Sequence, residues 1–127
     1  MNATLLVGLG GFLGAVARYK LGAAVMHATG IVRFPIGTFI VNVFGCLAIS
    51  LLAGVVARHH VLGVEARLFL FTGVLGGFTT FSAFGLETVE LLRRGELAIA
   101  SLYAGGSVVA GLFAVWLGLW LVDVLPR

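Results

Sequence analysis

The sequence predicts an all-α membrane protein with four transmembrane helices, and three observations carry that prediction. Of 127 residues, 61% are hydrophobic and 10% charged, against about 45–50% and 25% in soluble domains. The mean hydropathy is +1.16. The apolar residues fall into four runs, each near the ~20 residues needed to cross a bilayer at ~1.5 Å per residue. The length allows one such unit, a single transmembrane domain spanning residues 1–127.

The first run covers about residues 5–27. No Lys or Arg precedes it and Arg18 falls late in it, so it reads as a span rather than a cleaved signal peptide. Ala15-Val16-Ala17 only imitates a cleavage site. The second run covers about residues 36–57, the third 68–92 and the fourth 97–122. The connections, 29–35, 58–67 and 93–96, are too short for a soluble domain. The last of them forces helices three and four into an antiparallel hairpin.

Eight Lys and Arg against five Asp and Glu give a net charge of +3. No basic cluster exceeds the pair Arg93-Arg94, which argues against a nucleic-acid partner. Four spans put both termini on the side of the 58–67 connection, with Arg58, Arg67 and Arg127. The other side carries Arg33, Arg93 and Arg94, with Arg18 and Lys20 near the end of the first helix. So even a distribution gives little orienting bias. It leaves open both a single insertion and insertion in both senses, which would allow an antiparallel dimer.

Polar residues inside a span are functional candidates because hydrocarbon solvates them poorly. The first helix contributes Arg18 and Lys20, the second Thr38, Asn42 and Ser50. The third contributes Thr72, Thr79, Thr80, Ser82, Glu87, Thr88 and Glu90, and the fourth Ser101, Tyr103 and Ser107. Apart from the acids these are hydrogen-bond donors. Donors with fixed positive charge suit an anion better than a cation.

The stretch Gly73-Val74-Leu75-Gly76-Gly77-Phe78-Thr79-Thr80 falls near the middle of the third span. Two readings stay open. Adjacent glycines followed by two threonines weaken a helix, and a break at this depth would free carbonyls as a cation site. An intact helix would instead use Gly73 and Gly77 as a close-packing face. Phe78, Phe81 and Phe84 share a helical face. They either pack against neighbours or turn electropositive ring edges toward a narrow anion path.

Other features carry less. Gly8-Leu9-Gly10-Gly11-Phe12-Leu13-Gly14 lacks the third glycine and the βαβ setting of a dinucleotide site, so Gly10 and Gly14 read as helix-packing positions. His59-His60 has no nearby Cys or acid to complete a metal site. Cys46 reads as a small buried hydrophobe, and Trp116 with Trp120 as an interfacial belt. No catalytic arrangement is present, so no enzyme is expected.

Three motifs resemble those of the Fluc (CrcB-type) fluoride channels of microbial membranes. They are Gly10-Gly11-Phe12-Leu13-Gly14-Ala15-Val16-Ala17-Arg18-Tyr19, Gly37-Thr38-Phe39-Ile40-Val41-Asn42-Val43-Phe44-Gly45, and Gly76-Gly77-Phe78-Thr79-Thr80-Phe81-Ser82-Ala83-Phe84 with Glu87. The resemblance implies a third helix broken near the midplane and an antiparallel dual-topology homodimer with two fluoride pores, in the bacterial inner membrane. It implies Phe81 and Phe84 as the pore phenylalanines, Asn42 as the amide donor beside them and Thr80 as a pore hydroxyl. It further implies Arg18 in an aqueous vestibule, a polar track through Tyr103 and Ser107, and Glu87 near a pore mouth. Carbonyls of Gly76 and Thr79 would hold a structural sodium ion at the dimer centre. Ala83 stands where many members carry a hydroxyl, and Gly111 interrupts the hydroxyl track after Ser107.

The function implied is passive fluoride export that lowers cytoplasmic fluoride. Fluoride is small and strongly hydrated, so closely placed donors must replace its water. Small multidrug-resistance-type exporters form the alternative, but they resemble one another in an acidic residue in the first helix, and this helix has no Asp or Glu. A non-conducting assembly subunit, with polar residues serving only to join helices, is the third reading.

Overall fold

The computed structural model describes residues 2–125, so Arg127 of the charge count lies outside the described residues. Helix α1 is Ala3–Thr29. Asn2 opens it by accepting a hydrogen bond from the Thr4 amide at 2.9 Å. Gly30, at φ 63°, closes it in the left-handed region that glycine enters without strain. Helix α2, Ile36–His59, starts directly after Pro35, whose fixed φ suits a helix start.

The third span is segmented. A short α3, Val64–Arg67, runs into a π-helical segment, Leu68–Leu75, and then into α4, Gly76–Phe78. Thr79 and Thr80 are extended, and α5, Phe81–Arg93, begins after them. A turn with Gly95 at φ 77° leads to α6, Leu97–Val124. Among the described residues, four helical stretches are long and apolar enough to cross a membrane: Ala3–Thr29, Ile36–His59, Val64–Arg93 and Leu97–Val124.

The two readings of the Gly73–Thr80 stretch prove compatible. Gly73 and Gly77 do pack closely: a Cβ on Gly73 would sit 2.9 Å from Gly10 Cα, and one on Gly77 2.5 Å from the Gly11 carbonyl oxygen. A Cβ on Gly14 would collide with the Val74 carbonyl. Backbone therefore meets backbone along α1 and the π-helical segment, the close approach that small residues permit between membrane helices. The chain breaks just beyond this contact.

Helices α2 and α6 also meet at glycines, here against side chains: Gly54 against Val122 and Gly118 against Ser50. Arg58 of α2 donates to the carbonyls of Val122 and Leu125, satisfying the α6 C-terminus where a cation also meets the helix dipole favourably. Arg33 and Glu96 form an ion pair at 2.8 Å between the first and third connections. Both connections thus lie at one end of the bundle, as four spans require.

The buried core is small, a cluster of Leu91, Ala100 and Tyr103 with Phe34, Phe39, Phe84 and Ile99 packed around it. Phe12, Leu102, Val109 and Trp116 are exposed. In water such a surface would aggregate; in a bilayer it faces its own solvent. Trp116 and Trp120 stack with ring centroids 6.1 Å apart on the outer face of α6.

Candidate functional site

The site is organised by the break at Thr79 and Thr80. In a continuous helix the Thr80 amide would bond the Gly76 carbonyl, and the Ala83 amide the Thr79 carbonyl. Both donors are diverted. The Thr80 amide donates to Asn42 Oδ1 at 2.8 Å, and the Ala83 amide to Thr80 Oγ1 at 3.2 Å. Asn42 Nδ2 in turn donates to the Thr80 carbonyl at 3.0 Å. Thr80 is thereby the N-cap of α5, and Asn42 stands in for the missing helical partners on both sides of the Thr80 peptide unit.

The Gly76 and Thr79 carbonyls are left without these helical donors. Uncharged oxygens freed in this way suit a hard cation such as sodium. The donor set fits the expectation; a single chain supplies two of the oxygens that such an ion needs.

Beside the break lies a groove of about 350 Å³. Its walls are Asn42, Gly45, Cys46 and Ile49 from α2, Thr79, Thr80, Phe81 and Phe84 of the third span, and Ser107 with Val108 from α6. Phe81 is 83% exposed, and its ring centroid lies 5.5 Å from that of Phe84. The Ser107 hydroxyl is buried and has no hydrogen-bond partner among the described residues. An unsatisfied buried hydroxyl carries a free-energy cost. Asn42 keeps one amide N–H and Thr80 its hydroxyl proton beyond the bonds just described. The Thr80 hydroxyl lies 3.3 Å from that of Ser82.

The structure brings Asn42, Thr79, Thr80, Phe81, Phe84 and Ser107 together in this groove. The remaining expected residues are placed elsewhere. Arg18 borders a separate pocket of about 150 Å³ with Tyr19, Thr38 and Thr80. Thr80 lines both cavities. Tyr103 is fully buried behind Phe84, with centroids 5.3 Å apart. Its hydroxyl donates to Glu87 Oε2 at 2.6 Å, and Thr38 Oγ1 donates to Glu87 Oε1 at 2.7 Å. Glu87 is therefore clamped by two hydroxyls from α2 and α6.

Sequence reasoning missed one participant, and named another, Thr38, only as a polar candidate of the second helix. Cys46, read as a buried hydrophobe, is only partly buried and lines the groove. Thr38 is the clamp on Glu87. Thr38, Asn42 and Cys46 recur every four residues and so share one face of α2, a signal that could have identified both.

The chain matches the family model "CrcB-like protein, Camphor Resistance (CrcB)" over residues 5–119. It is 48% identical to the "Fluoride-specific ion channel FluC" of Methylobacillus flagellatus, with 98% of this chain and 97% of that protein aligned. It is 53% identical to the protein of that name from Hyphomonas neptunium, with 95% of each covered. The counterpart from Novosphingobium aromaticivorans is 51% identical, with 94% of each covered. Matches of this extent leave no long segment outside the family alignment, and the chain belongs to the CrcB family.

Proposed function

We propose that this chain is a passive, fluoride-selective ion channel of the bacterial cell membrane, through which fluoride leaves the cytoplasm. The observation that carries this reading is the groove that brings Phe81 and Phe84 together with Asn42, Thr80 and Ser107. The near-full-length relatives named as fluoride-specific channels supply the ion. Membership of an ion-channel family also sets the enzyme reading aside.

Fluoride must exchange water for protein donors within a short distance. The Ser107 hydroxyl, the free amide N–H of Asn42 and the Thr80 hydroxyl offer hydrogens, and the ring edges of Phe81 and Phe84 offer a weaker positive field. Several weak donors in sequence favour transit over trapping. Arg18 raises the local concentration of anions at the smaller pocket. Tyr103 and Glu87 act as the support behind Phe84. The first helix carries no Asp or Glu, so the multidrug-exporter reading finds no residue on which proton and drug could compete.

The working unit in this proposal is an antiparallel homodimer formed by copies inserted in both senses. The even distribution of Arg and Lys over the two ends supports it. So does Phe81, a large side chain left open beside the groove. A second copy covers Phe81 and closes each groove into a pore. The Gly76 and Thr79 carbonyls of two copies then supply the oxygens for one structural sodium ion, whose charge ties the two breaks together.

The test is flux. Purified protein in phospholipid vesicles loaded with potassium fluoride should release fluoride on addition of a potassium ionophore, and release chloride far more slowly. A folded preparation that passes neither ion, or both equally, overturns the proposal.

A further inference from the structure

Two grooves at the end of the bundle opposite the Arg33–Glu96 pair take no part in the proposed pore. One, of about 420 Å³, lies between α2 and the third span; Ala53, Ala57, Leu68 and Phe71 line it, with Arg67 at its rim. The other, of about 540 Å³, lies between α2 and α6; Ala53, Gly54, Ala57 and Leu119 line it, with Arg58 and Asp123. Ala53 and Ala57 sit one turn apart and border both grooves. Their small side chains make a low ridge with a channel on either side.

The walls of both grooves are membrane spans, so hydrocarbon chains are the solvent that fills them. The rims are charged but unequally engaged. Arg58 is committed to the carbonyls of Val122 and Leu125. Among the described residues Arg67 donates through Nε alone, to the Leu62 carbonyl at 3.2 Å, with both terminal guanidinium nitrogens unengaged there. Asp123 has no hydrogen bond or ion pair to another described residue, although Arg58 borders the same groove. The rim therefore presents one available cation and one available anion, with the ridge between their grooves.

We propose that this end of the bundle binds one aminophospholipid, with an acyl chain in each groove and the headgroup across the ridge. The phosphodiester meets the planar guanidinium of Arg67, which can contact two oxygens at once. The ammonium meets the Asp123 carboxylate. A choline headgroup has no N–H to donate, and a glycerol headgroup has no cation. Two tails match two grooves. This site does not depend on the channel reading above, since neither groove contains a residue of the proposed pore.

The experiment is native mass spectrometry of the full-length protein extracted from vesicles containing equal phosphatidylethanolamine, phosphatidylglycerol and phosphatidylcholine. Wild type should retain the ethanolamine lipid about threefold over each of the others, the worth of one exposed ion pair. Asp123→Asn should abolish that preference while other phospholipids still bind, and Arg67→Gln should weaken retention of all three. Ala57→Leu, which fills both grooves without touching the rim, should reduce every phospholipid adduct. Equal retention of the three lipids by wild type overturns the proposal, as does a preference that survives both rim variants. A disulfide between two copies carrying Ala57→Cys in a Cys46→Ala background would put a second copy over the grooves, and overturns it equally.

Discussion

Asn42 and Thr80, 38 residues apart, are joined twice: Nδ2 of Asn42 donates to the Thr80 carbonyl at 3.0 Å, and Oδ1 accepts from the Thr80 amide at 2.8 Å. One side chain thus pairs both backbone polar groups of Thr80 at the helix break. Asn42→Ala leaves two part-buried backbone groups unpaired and should destabilise the fold by about 2–4 kcal/mol. Denaturant titration in detergent checks this; an unchanged midpoint would show that the break is held by something else.

Ser107→Ala separates pore chemistry from stability. The hydroxyl has no partner among the described residues, so its removal should leave the unfolding midpoint unchanged or slightly raised. Fluoride flux should fall, by about tenfold if the hydroxyl contributes one weak hydrogen bond in transit. Wild-type flux in a folded variant would remove Ser107 from the path.

The two phenylalanines should respond differently. Phe81 is open to its surroundings, so Phe81→Ile should lower fluoride flux by about tenfold or more while changing single-chain stability by less than ~0.5 kcal/mol. Phe84 touches both Phe81 and Tyr103, so Phe84→Ile should lower flux and also cost about 1–2 kcal/mol in lost ring contacts. Undiminished flux in both variants would leave the stripe a packing role only.

Gly14→Ala places a methyl group against the Val74 carbonyl. Neither backbone can give way without moving a whole helix, so the cost should reach about 3 kcal/mol or more. Size-exclusion chromatography should show lost or aggregated protein. Gly8→Ala is the control, because nothing lies within 4 Å of a Cβ there. Similar behaviour of the two variants would contradict the close α1 packing.

The sodium proposal is tested by ion replacement. Exchanging Na⁺ for N-methylglucamine during purification should shift the protein from dimer toward monomer or lower its flux, because the bulky cation cannot sit among carbonyls. A dimer and a flux that both ignore the exchange would remove the metal from the account.

Much of the fold was legible because hydropathy alone identifies spans: a bilayer demands long apolar runs, and four are present. Gly10, Gly14, Gly73 and Gly77 announced close packing, and the glycine–threonine sequence announced weakness near residue 79. The π-helical geometry of Leu68–Leu75 was not legible. It depends on how Gly10 and Gly14 let the facing backbone approach, which no local propensity encodes. For the same reason the site was read as a set of residues rather than as an arrangement. Asn42 looked like a free donor, yet most of its capacity is used to hold Thr80. Glu87 was placed by resemblance alone, and its two bonds, from Thr38 and Tyr103, were not legible. These pairings join helices distant in sequence and follow from packing, not periodicity.

The central claim is that this chain conducts fluoride downhill and rejects other anions. The most direct measurement is the reversal potential of the purified protein in a planar bilayer under a fluoride gradient, with equal chloride on both sides. Reversal at the fluoride equilibrium potential is the expected result. Reversal at zero, or no current from folded protein, would contradict it.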